Sequence, residues 1–303
     1  RQEHAMTSTS ISPERASSLG PMAAIEARRL ARHPVFVVGV VLAFTVLALL
    51  YLLDDHPDFR DMLSTPVVPA FFIGLTSLVA TARLTRSTEV AVEAVATAPR
   101  TEARRTTALV VACLVPFAAG VAWVATLLVL VQVKGVSPQE WWFDTMPDWQ
   151  VWSILVALGP VACLGGALLG VLTGRWLGFP GAAAVVVVVL VAVTMVSQLP
   201  LSDGDSVELR LWVPWAMFHS GTMPDGTAWI YEGNPLAYLG YVLCLCAAAA
   251  LVAVWHDPTA RTTRLRGLVA GVVVVGLVCL ALAMTTGNAE TQVSPVNPRS
   301  VSE

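Results

Sequence analysis

Histidines beside carboxylates are the first place to look for acid–base chemistry, because a titratable group must lie within hydrogen-bond reach of the atom it serves. Two such places occur: His219 with Asp225, and His56 among Asp54, Asp55 and Asp58. Both read more simply as solvated acidic loops with an incidental histidine, so no catalytic residue is assigned. The five cysteines (Cys113, Cys163, Cys244, Cys246, Cys279) fall inside apolar runs and read as small buried hydrophobes. Cys244 and Cys246 point to different sides of a helix and have no histidine nearby, so no disulfide frame or metal site is legible. The single lysine, Lys134, sits in VLVQVKGV without the glycine-rich loop that cradles phosphates, so any ATP that drives this protein is bound by another chain.

The remaining constellation is mechanical. EAVATAPRTEARR, residues 93–105, lies between two runs without charge, 62–82 and 106–133. Ser87 or Thr88 can cap a helix, Glu89 suits its first turn and Pro99 stops it, which predicts a short helix over about 88–98. Glu89 and Glu93 are then spaced i to i+4 on one face. Such a helix can be a rigid handle that another protein pushes or a plain connector, and local features leave both open.

The elements that hold this island are membrane spans. The chain is 56% hydrophobic and 13% charged, with a mean hydropathy of +0.70; soluble domains are about 25% charged. Crossing the hydrocarbon core takes about 20 apolar residues, and seven windows qualify: 35–53, 65–82, 107–132, 151–173, 180–199, 236–255 and 267–286. The first lies behind a long leader and runs into Asp54 and Asp55, which does not fit a cleaved signal peptide. RQEHA, residues 1–5, reads as a remnant or upstream extension and is set aside.

Basic residues orient the spans. With the N-terminus inside, residues 1–34, 83–105, 174–179 and 256–266 are cytoplasmic and hold 14 of the 18 basic residues, while the outer segments hold 14 acids. Tryptophans cluster on the outer side (Trp141, Trp142, Trp149, Trp152, Trp212, Trp215, Trp229), as an interfacial belt would. The tail, 287–303, is then outside and reads as disordered. No window contains Asp, Glu, Lys, Arg or His, which weighs against an ion-coupled carrier and against chemistry within the membrane. Gly166, Gly170 and Gly174 share one face in GGALLGVLTG, a close-packing signature for a neighbour in the same chain, a dimer seam or a sliding gate. A path lined by such helices suits hydrophobic or amphiphilic cargo better than sugars or ions.

Two stretches carry a family likeness. EARRLARHP, residues 26–34, resembles the amphipathic elbow before the first span of ABC-2 type exporter permeases. ExxxTAPRT, residues 93–101, followed by Arg104 and Arg105, is similar to that family's coupling helix between spans two and three. The likeness covers about residues 20–255. It implies an all-α integral membrane protein of ABC-2 (type V exporter-like) permease fold, with an N-terminal elbow (1–34) and a six-helix core (35–255).

The resemblance further implies a dimer of like or unlike permease chains in a bacterial plasma membrane, surrounded by lipid, with no nucleic-acid partner. Two cytoplasmic ATPase subunits would carry the ATP and Mg, this chain holding no cofactor. Glu89, Glu93, Thr97, Pro99 and Arg100 would contact the ATPase, and Glu26, Arg28, Arg29 and Arg32 would form the elbow. The family's external re-entrant helices would correspond to 200–235, where Trp212, Pro214, Trp215 and Phe218 would form a gate or interface. A seventh helix within 256–286 departs from the family's six. The competing readings are a non-transporting membrane scaffold or sensor and a secondary carrier.

Overall fold

The computed structural model describes residues 19–52, 65–90, 102–134, 147–198, 207–218 and 228–293. It is a bundle of helices, six of them long and apolar enough to cross a membrane, as expected of a multi-pass membrane protein. In chain order, α1 (Leu19–Ala31) and α2 (Pro34–Leu52) meet at His33–Pro34, where proline ends one helix and opens the next. A helical turn, Val67–Pro69, and a π turn, Ala70–Gly74, lead into α3 (Leu75–Val90). Then come α4 (Glu102–Ala112), α5 (Leu114–Val133), α6 (Asp148–Val156), a π turn at Ala157–Val161, and α7 (Ala162–Trp176). The chain continues with α8 (Ala182–Gln198), α9 (Val207–Trp212), β1 (Ala228–Ile230), α10 (Pro235–Trp255), α11 (Thr263–Thr285) and β2 (Thr291–Val293).

Within the described residues all seven apolar windows are helical along most of their length, but the fifth is a correction. α8 has 17 residues, about 25 Å at 1.5 Å per residue, and is shorter than the other six. Gly178, Gly181 and Pro180 hold its start back. It is nevertheless pinned at both ends of the bundle. Arg86 at the end of α3 donates to the carbonyls of Phe179 (2.8 Å) and Gly178 (3.1 Å) just before it, and Gln198 donates to Trp215 O (2.8 Å) at its other end.

The path α6–π–α7 is the central pillar: 78% of its most apolar window is buried, against 17% for α11, which leans on α10 at the periphery. Pro160 lies inside the π turn; it supplies no N–H, and the wider turn re-routes the backbone ladder around it. Gly120 of α5 passes so close that a Cβ there would sit 2.7 Å from Pro160 Cα.

α3 packs on α7 along the glycine stripe. A Cβ at Gly166 would collide with the backbone of Gly74, at Gly170 with Leu78 O and Thr81 Oγ1, and at Gly174 with Thr85. Thr81 Oγ1 uses the close approach to donate to Ala167 O at 2.8 Å. The stripe therefore faces a helix of the same chain. Beside it, Trp123 of α5 is fully buried and donates to Ala43 O of α2 at 3.0 Å.

The helices alternate in direction, so arginines gather at one end. Arg83 and Arg86 close α3, Arg104 and Arg105 open α4, Arg175 lies in the last turn of α7, and Arg261, Arg264 and Arg266 lie around the start of α11. The opposite end is closed by the β ribbon, with Ala228 opposite Val293 and Ile230 opposite Thr291. This corrects the expectation of a free tail from residue 287. Gly287 takes φ 113° and Gly233 φ 123°, a turn open to glycine. Gly233 and Asn288 exchange backbone bonds of 3.0 and 3.2 Å, and Asn288 exchanges side-chain bonds with Gln150 of α6 (3.1 and 2.7 Å). Backbone pairing and these amides hold a stretch whose composition alone suggested disorder. Residues 294–303 lie outside the described residues.

Candidate functional site

Of the five handle residues, Glu93, Thr97, Pro99 and Arg100 lie outside the described residues, and Glu89 lies in the last turn of α3. The helix start expected at Ser87 or Thr88 is a correction, because α3 runs unbroken through both to Val90. Ser87 Oγ donates to Leu84 O at 2.9 Å, so this hydroxyl is satisfied inside a helix.

The return of the chain is tightly held. Glu102 is the first residue of α4. Its Oε1 lies 2.8 Å from His256 Nδ1, beyond the end of α10, and 3.3 Å from Arg175 Nη1 in the last turn of α7. Next door, Ala103 N donates to Asp257 Oδ2 at 2.8 Å, so a carboxylate 154 residues away satisfies one of the N–H groups that a helix start leaves unpaired. Asp257 Oδ1 accepts from Thr259 N (2.9 Å) and Thr259 Oγ1 (2.7 Å). Burial pushes the Asp257 carboxyl up, but these hydrogen bonds, with the Ala103 amide and His256, outweigh it and hold it below its ordinary value.

Around this knot, Trp176 stands edge-on to His256 with ring centroids 5.4 Å apart and donates its indole N–H to Val252 O at 3.2 Å. Arg261 wraps back to the carbonyls of Trp255 and His256, each at 3.2 Å. Arg175, read from sequence as a loop cation, is instead helical with its side chain only 2% exposed. α7 continues a turn past its apolar window, where Glu102 pairs with the guanidinium. Ion pairing and hydrogen bonding join α4, α7 and α10 here. Among the described residues, no three His, Cys, Asp or Glu converge as metal ligands would.

The elbow residues lie at the same end. α1 lies along α4, burying Ala23 and Leu30. Glu26 and Arg29 pair at 3.0 Å, and Arg28, Arg29 and Arg32 face outward. At the opposite end, α9 stops at Trp212, two residues before Pro214. The chain then turns inward. Trp215 and Phe218 are buried, while Trp212 is 51% exposed. Tyr238 Oη donates to Val213 O (2.7 Å) and accepts from Ala216 N (2.9 Å), and Tyr241 Oη donates to Trp212 O (3.0 Å). Arg210 donates to the carbonyls of Met217 and Glu232 and lies over the Tyr231 ring at 5.0 Å. Burial pushes its guanidinium down to about 10, against the pull of Tyr231, Tyr238, Glu290 and Glu232. This segment is a plug seated in the bundle.

Sequence reasoning missed Glu102, Arg175, His256 and Asp257 as a group. The one local signal was Asp257–Pro258–Thr259, an Asx-type capping sequence; nothing local announces its partner at Ala103. Compared with known protein families, with curated proteins and with solved structures, the chain matches none.

Proposed function

We propose that this chain is the membrane-spanning permease subunit of an ATP-driven exporter that moves a hydrophobic or amphiphilic substrate across a bacterial plasma membrane. The observation that carries the reading is the knot at Glu102. The segment between α3 and α4 returns to the bundle at a residue bonded to α7 and α10, so a force on that segment reaches three helices at once. The arginine-rich end suits the cytoplasmic side, where two ATPase subunits would bind ATP and Mg. A second permease chain, like or unlike this one, would complete the transporter, with the Trp215–Phe218 plug over the outer end of its path. The elbow residues Glu26, Arg28, Arg29 and Arg32 would stand at the edge of the ATPase contact.

The test is gentle purification from the native membrane, with copurifying chains identified by mass spectrometry. A stoichiometric P-loop ATPase is expected. Glu102→Gln should then weaken substrate-stimulated ATP hydrolysis while leaving the basal rate intact. Absence of an ATPase, under conditions that preserve other complexes, would replace this reading with that of a membrane scaffold.

A further inference from the structure

A cleft of about 340 Å³ opens between α7, α8 and α10, within the range of small-molecule sites. One wall is the face of α7 that carries Gly165, Leu169 and Leu172; the other is the face of α10 that carries Val242, Ala249 and Val252. Both stripes follow helical spacing, so the cleft runs along the helix axes. Val242 to Val252 is ten residues, about 15 Å at the α-helical rise. Gly165 leaves room that a larger residue would fill, since a Cβ there would already lie 3.3 Å from Cys246 Sγ.

The lining selects the occupant. It consists of apolar side chains and the weakly polar thiol of Cys246, whereas a trapped water needs two to four polar partners. The two ends of the cleft differ. Trp215, 3% exposed, closes one end, and its carbonyl is already taken by Gln198. The other end, at Leu172 and Val252, abuts the arginine end of the bundle. There the Trp176 indole caps Val252 O, Arg261 wraps the next turn, and Arg86 is held at the carbonyls of Gly178 and Phe179. A long apolar slot that Trp215 closes at one end, and whose other end runs toward Arg86 and Arg261, complements the hydrocarbon chain of an anionic amphiphile.

We propose that this cleft binds one hydrocarbon chain of an anionic membrane lipid, with its headgroup at the mouth marked by Arg86, Arg261 and Trp176. The site does not depend on the transport reading: a scaffold would hold the same lipid. The chain gains close van der Waals contact with the slot walls, and the guanidiniums attract the headgroup.

The test uses the full chain in nanodiscs and a long-chain fatty acid that carries a photoreactive diazirine in its tail, with peptides mapped by mass spectrometry. The α11 face bearing Val274 and Val278, 59% and 53% exposed, reports ordinary lipid contact. Labelling is expected to concentrate on the cleft stretches of α7 and α10. It should be displaced there, but not on α11, by excess unlabelled acid. The corresponding uncharged alcohol should label the cleft about tenfold less well. Ala249→Trp and Leu169→Trp, on opposite walls, should each abolish the cleft label, and the competition arm needs neither variant to fold. Cleft labelling that matches α11, that excess acid does not displace, or that the alcohol reproduces equally would overturn the proposal.

Discussion

Alanine at Gly170 should destabilise the bundle, although the same change in an open helix stabilises it. Replacing a helical glycine by alanine ordinarily gains about 1 kcal/mol. Gly271 of α11 has nothing within 4 Å of an added Cβ and should show that gain. At Gly170 the new Cβ would meet Leu78 O and Thr81 Oγ1 and lie 2.8 Å from Leu78 Cα. Two of these atoms are backbone, so the neighbour cannot rotate away and α3 must back off from α7.

Overpacking of this kind costs about 1–3 kcal/mol. The move also strains the Thr81 bond to Ala167 O (2.8 Å), an interhelical type worth about 0.6 kcal/mol. Set against the propensity gain, Gly170→Ala should lose roughly 1–3 kcal/mol, so the two variants should differ by roughly 2–4 kcal/mol. At about 2–4 °C per kcal/mol, thermal unfolding of the purified protein in detergent, followed by tryptophan fluorescence, should separate their melting temperatures by several degrees in opposite directions. Equal upward shifts would refute the close-packing argument.

Tyr238→Phe removes the hydroxyl that serves both Val213 O and Ala216 N; leaving these buried groups unpaired should cost about 1–3 kcal/mol, read as a lower melting temperature. Asn234→Ala removes the cap that accepts from Leu236 N and Ala237 N and should cost about 1 kcal/mol by the same measurement. Asp257 has its folded-state pKa depressed, so its contribution is present above the unfolded value of about 3.9 and is lost as pH falls through the lower folded value. Melting temperatures of wild type and Asp257→Asn should therefore differ at neutral pH and converge in that acid window; a gap that persists below it would remove the carboxylate from the account.

The helices were legible because each must present a long apolar run, and a run such as 236–255 needs no partner to be recognised. Turning points depended on what surrounds them. Ser87 looks like a cap by composition, yet its hydroxyl finds Leu84 O within a continuing helix. Arg175 looks like a loop cation, yet Glu102 meets it from another helix. The glycine stripe at 166, 170 and 174 was readable as close packing, but its partner α3 was not, since spacing on one helix does not name the other. The tail was misread for a similar reason: GNAETQV has the composition of a free segment and becomes a strand only against residues 228–230.

That ribbon also constrains the order of assembly. β2 follows α11, and its partner β1 precedes α10, so the two strands are separated by a helical hairpin of two long apolar helices. During synthesis the plug at Trp215 and the capped start of α10 can form early, but Gln150 and Gly233 must wait for Asn288. The ribbon therefore acts as a completion mark: a chain whose last helix has failed to insert leaves those groups without their partners at the end where β1 lies.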